Sequence, residues 1–100
     1  MFYVYVLQSE KDGEFYSGFT NNLHKRLLKH NTGKVFSTKS RRPLKCIYTE
    51  ICLDKQDALQ REKYLKTGMG KRFIKQRLQR YLNKITENTP ACQSRPKISI

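Results

Sequence analysis

Acidic residues are scarce in this 100-residue chain, eight against twenty-one lysines and arginines, and the formal net charge is +13 with a pI near 10.0. None of the acids falls between Phe15 and Thr49, a stretch that holds Lys25, Arg26, Lys29, Lys34, Lys39, Arg41, Arg42 and Lys45. Such a surface attracts polyanions, so nucleic acid is the default partner. Long apolar runs are missing too. Nothing approaches the length of a membrane span, and the apolar start Met1–Leu7 is too short and uncharged for a signal peptide. No membrane role is expected. The cysteines are few and odd in number, and no Cys/His spacing suits zinc. Cys46 and Cys52 sit on one expected strand, roughly 20 Å apart if it is regular, which is too far to bridge. A reducing, cytoplasmic setting is expected.

What remains is enough for one small domain over residues 1–85, followed by an expected disordered tail over 86–100, where Pro90 and Pro96 interrupt any periodicity. Phe2–Leu7 is apolar on both alternating faces and reads as a central strand. Asp12-Gly13 is a hairpin signal, and Phe15–Phe19 is the returning strand. With a two-residue turn, Tyr16 and Gly18 share a face with Tyr3 and Tyr5; a three-residue loop would break that arrangement. Asn22 can cap a helix to Asn31, stopped by Gly33, on which Leu23 and Leu27 face inward and Arg26 neighbours His30. The basic segment Thr32–Pro43 reads as a loop or a weak helical turn. Leu44–Cys52 is a third strand. Asp54 caps a helix over Lys55–Lys66, Thr67-Gly68-Met69-Gly70 breaks the chain, and Lys71–Asn83 is a last amphipathic helix. The fold class is therefore α+β: a small three-stranded sheet flanked by helices, in the order ββαβαα.

Several residues invite a chemical reading. A strand ending Tyr16-Ser17-Gly18 that leads into a helix bearing Arg26 brings together a phenol, room above the backbone and a guanidinium. Glu62 is the one acid between Ala58 and Thr86, and it lies on the inward stripe of its helix, where a carboxylate needs a partner or an ion. A salt bridge, for instance to Arg26, is the structural account of the same placement. Several converging carboxylates, as a two-metal site wants, are not present near the basic face. One hard cation on one carboxylate, waters and a substrate phosphate suits magnesium.

These residues resemble the GIY-YIG nucleases, and in particular their small stand-alone bacterial members. Tyr3-Val4-Tyr5 and Tyr16-Ser17-Gly18 stand for the two signatures, Asn22–Leu27 for the helix with the catalytic arginine, and Ala58–Glu62 for the helix with the metal-binding glutamate. Tyr3 replaces the first glycine of the signature, Ser17 the middle residue of the second, and Phe19 stands where some relatives carry lysine. Larger relatives also use a late asparagine, for which Asn83 is the nearest candidate. The resemblance implies a metal-dependent endonuclease that hydrolyses phosphodiester bonds in DNA, in repair or other DNA processing. It implies Tyr16 helping to deprotonate the attacking water with Tyr5 supporting it, Arg26 stabilising the phosphoryl oxygens, Glu62 holding Mg2+ or another divalent cation such as Mn2+, and His30 at a catalytic position where relatives commonly carry Tyr or His, the arginine, the metal or a relay through His30 being what Tyr16 needs to work near neutrality. A phenol at its ordinary pKa of about 10 is a poor base without such help. Lys25, Lys34, Lys39, Arg41 and Arg42 are the expected phosphate contacts. The reading from a different class is a basic nucleic-acid-binding module on a nuclease fold, with weak or no catalysis.

Overall fold

The computed structural model describes residues 1–88. Strands β1 (Phe2–Ser9), β2 (Phe15–Thr20) and β3 (Leu44–Cys52) form one antiparallel sheet in the order β2-β1-β3, so β1 is central as its two apolar faces require. Helices α1 (Leu23–Asn31), α2 (Lys55–Leu65), α3 (Gly68–Arg77) and α4 (Gln79–Asn88) surround it, with a short 3-10 turn at Lys39–Arg41. None of these helices is long and apolar enough to cross a membrane.

Alternation along β1 divides the core in two. Val4 and Val6 pack with Ala58 and Leu65 of α2 and Ile74 of α3, whereas Tyr5 and Leu7 pack with Leu44 and with Leu23 and Leu27 of α1. The hairpin between β1 and β2 is longer than the expected two-residue turn. Ser9 N–H donates to Glu14 O at 3.0 Å and Gly13, at φ +77°, donates to Ser9 O, so the connection is Glu10–Gly13. Ser9 Oγ, itself buried, accepts from the Lys11 and Asp12 amides and so stabilises the wider loop. Because two residues were added, the pairing slides but the faces do not exchange. Tyr5 lies opposite Gly18 and Leu7 opposite Tyr16, on the face expected.

The helix starts follow their caps. Asn22 Oδ1 accepts from Lys25 N at 3.1 Å, and Asp54 accepts from the Gln56 and Asp57 amides. Thr67-Gly68-Met69-Gly70 does not interrupt the chain for long: Thr67 Oγ1 caps Gly70 N at 3.1 Å, and α3 begins at Gly68. A Cβ on Gly70 would run into Tyr64 O and Leu65 Cα, so the glycine permits the close turn between α2 and α3. The single helix expected over Lys71–Asn83 is two, parted at Leu78 (φ −106°, ψ 24°). The second runs to Asn88, so residues 86–88 close a helix; the rest of the expected tail, 89–100, lies outside the described residues. Cys46 and Cys52 are not bonded to each other, as their spacing required.

On the α2 face, Arg61 ties the layers together. Its guanidinium donates to both carboxylate oxygens of Glu50 on β3 at 2.9–3.2 Å, and stands 5.0 Å from the Tyr64 ring centroid and 4.8 Å from that of Phe73. Tyr48 donates to the same Glu50 at 2.9 Å.

Candidate active site

The site is built where α1 crosses the Tyr5 face of the sheet. Tyr5 is fully buried, and its ring lies across Gly18 of the neighbouring strand, where a Cβ would overlap the phenol oxygen and Cζ. The glycine of the second signature is thus a vacancy shaped by a tyrosine of the first. Arg26, on the second turn of α1, donates from Nε to Tyr5 Oη at 3.3 Å. The phenol oxygens of both Tyr5 and Tyr16 favour the charged guanidinium and raise its pKa further, the Tyr5 hydrogen bond most of all.

One turn along α1, His30 is also fully buried. Its Nε2 is 2.9 Å from Tyr5 Oη and its Nδ1 is 2.8 Å from Thr38 Oγ1. Both phenol rings meet it edge-on, Tyr16 at 5.3 Å and Tyr5 at 5.7 Å between centroids. One arrangement uses every proton shared by these groups: Arg26 donates to Tyr5, Tyr5 to His30 Nε2, and His30 Nδ1–H to Thr38. Burial, aided by the Arg26 charge, pushes the imidazole pKa down to about 4, so His30 is neutral at pH 7. Burial also raises the Tyr5 pKa, against the lowering effect of Arg26. Tyr5 is consequently a protonated spacer between Arg26 and His30, not a base. His30 has no exposed surface to offer a substrate, and its Nε2 meets the Tyr5 phenol instead. Tyr16 is the half-exposed phenol of the pair.

Glu62 lies on α2, and Tyr5 feels its charge. Its partner is not Arg26 but Lys66, one turn on, with Nζ 3.2 Å from Oε2. The same ammonium stands 5.9 Å from the Tyr16 ring centroid. Among the described residues no group of three or more His, Cys, Asp or Glu could hold a metal. The donor set at Glu62 is one carboxylate whose lysine partner is largely exposed and displaceable. It fits a single hard cation completed by water and phosphate, and it does not fit a two-metal cage. Beside the cluster an open pocket of about 280 Å³ is lined by Phe2, Phe19, Thr20, Asn21, Arg26 and Lys55. It includes neither Tyr16 nor Glu62, so it flanks the site. Phe19, in place of lysine, forms part of its wall and stacks on Phe2 at 5.9 Å.

Of the expected phosphate contacts, Lys25, Lys34, Lys39 and Arg42 are exposed and Arg41 is half-buried. Arg42 is partly occupied with its own loop: Nε donates to Lys39 O at 2.9 Å, and its guanidinium covers Gly33. Asn83 lies on α4, which packs on α3. The residue that sequence reasoning missed is Thr38, an ordinary threonine in an irregular basic loop, whose only sequence signal is its distance of eight residues from His30.

The family model described as the GIY-YIG catalytic domain matches residues 1–73. Similar chains include a UPF0213 protein of Bacillus pumilus, 44% identical over 71 residues, which span 70% of this chain and 71% of that one. A UPF0213 protein of Staphylococcus saprophyticus is 38% identical over 74 residues, 73% of this chain and 89% of the relative. One from Clostridium perfringens is 45% identical over 67 residues, 66% and 71% of the two chains. No solved structure matches the chain.

Proposed function

The chain belongs to the GIY-YIG family, whose domain is of nuclease type, and we propose that it is a divalent-metal-dependent endonuclease that hydrolyses phosphodiester bonds in DNA. The observation that carries this reading is the convergence of Arg26 and two phenols at a backbone position cleared by Gly18, with Glu62 as the acid whose charge reaches Tyr5. Arg26 has the forked donor geometry that a pentacoordinate phosphate needs, and the buried Tyr5 holds it in place before substrate arrives. His30 and Thr38 fix the direction of the Tyr5 proton, leaving its oxygen free to accept from Arg26. Tyr16, half-exposed beside the guanidinium, orients the attacking water and takes up its proton while passing its own phenol proton to solvent as the phosphorus–oxygen bond forms. Glu62 would hold Mg2+ or Mn2+, which supplies charge neutralisation at the phosphoryl and leaving oxygens. Exposed Lys25, Lys34 and Lys39, with Arg41 and Arg42, supply sequence-independent phosphate contacts. Processing or repair of DNA in the cytoplasm is the setting this chemistry suits.

One feature favours the second reading, a binding module with weak or no catalysis: Lys66 already places a positive charge on Glu62 and beside Tyr16. Incubation with labelled DNA in magnesium or in EDTA, beside Glu62→Gln and Lys66→Met, separates the two. The nuclease reading expects magnesium-dependent cleavage by the wild type and by Lys66→Met, and loss of cleavage with retained DNA binding in Glu62→Gln. Binding without cleavage in any metal establishes the module instead. Cleavage that persists in EDTA removes the metal assignment.

A further inference from the structure

The basic loop between α1 and β3 carries a group that the chemistry above does not use. Phe36 is 93% exposed and is the one aromatic among the exposed large hydrophobic residues described; Leu53, at 82%, comes next and is aliphatic. Its chain neighbours include Lys34, Lys39, Arg41 and Arg42, and the nearest acids in sequence are Glu14 and Glu50. The loop around it is braced. Thr38, two residues on, is fully buried against His30, its amide donates to Val35 O at 3.2 Å, and Arg42 Nε bonds Lys39 O. A flat apolar ring is therefore displayed on a held turn, ringed in sequence by cations.

We propose that Phe36 is a stacking platform for an unpaired base of DNA whose backbone is held by the surrounding lysines and arginines. The inference rests on the reading that this protein binds DNA, and it names the substrate class: DNA that offers single-stranded or unpaired nucleotides, such as a flap or a junction of duplex with single strand. An aromatic face recognises any base by its π surface, and cations on either side track the phosphates that flank it. In a continuous duplex each base face is already covered by its neighbour, and stacking on Phe36 would first require unstacking a step.

The test measures binding of the full chain, without metal, to three fluorescein-labelled DNAs at one fixed salt concentration: a single strand, a blunt duplex and a flapped duplex. Phe36→Ala is expected to weaken the single strand and the flap by about tenfold and the blunt duplex by less than about twofold. Phe36→Trp is expected to restore binding. The chain has no tryptophan of its own, so emission from that variant reports on this ring alone; it should be quenched by the single strand and the flap and not by the blunt duplex. Equal losses on all three DNAs, unchanged binding by Phe36→Ala, or equal quenching by all three overturns the platform while leaving DNA binding intact. A wild-type protein that binds none of the three overturns the DNA reading and the platform with it.

Discussion

Lowering the pH tests the buried chain Arg26–Tyr5–His30–Thr38 directly. His30 would ordinarily titrate at 6.5, and in the folded protein it does so near 4. Between those values the unfolded chain binds a proton that the folded one refuses, so stability is full above the unfolded pKa and is lost as pH falls toward the folded one. From pH 7 to pH 5 the loss is about 2 kcal/mol. That is a large part of the 5–15 kcal/mol that a typical domain commands. Protonation also turns Nε2 into a donor, which then cannot accept from Tyr5. The assay is urea unfolding at pH 7, 6 and 5 on the wild type and on His30→Gln, an amide able to bond both Tyr5 and Thr38 without titrating. The difference between the two proteins should open by about 2 kcal/mol over this range. Two proteins that lose stability in parallel, or an imidazole shown by NMR to titrate near 6.5, would refute the reasoning.

Gly18→Ala should lower both stability and cleavage, by about 1–3 kcal/mol in urea unfolding, because its Cβ displaces the Tyr5 ring. Arg26→Ala should slow cleavage by about a hundredfold or more, the scale of deleting one preorganised donor, with substrate binding changed far less. Tyr16→Phe should reduce the rate comparably with an unchanged melting temperature, whereas Tyr5→Phe should also lower stability, since it strands the buried His30 Nε2; a silent Tyr16→Phe would remove its catalytic role. DNA affinity should fall steeply with salt, with a log–log slope near the number of phosphates neutralised, and a flat response would count against the basic loop as the contact surface.

Much of the site was legible because it hangs on two periodicities and a cap. Strand alternation put Tyr5, Tyr16 and Gly18 on one face, and the four-residue spacing put Arg26 beside His30 on a helix whose start Asn22 announces. The face survived an error in loop length only because that error was an even number of residues. Thr38 was not legible, since an irregular loop has no period to say where a side chain points. Glu62 was correctly seen as needing a partner, but its helical neighbour Lys66 answers that need where Arg26 had been weighed. The split of the last helix at Leu78 was hidden because Ile74, Leu78 and Leu82 keep helical spacing straight through it. Gly70 reads as a breaker by propensity, yet tight packing on Tyr64 and Leu65 outweighs that weakness.

The Arg61 clamp behaves like a locating pin on a shaft. A helix lying on a sheet can roll about its own axis at little cost to nonspecific apolar contacts, and each residue is displaced by about 100° from the last. Arg61 cannot roll: two aromatic rings grip its guanidinium and Glu50 holds it by both oxygens. The residue that follows it is Glu62. The azimuth of the Glu62 carboxylate is thus set by a clamp on the residue before it, anchored to Glu50 of β3.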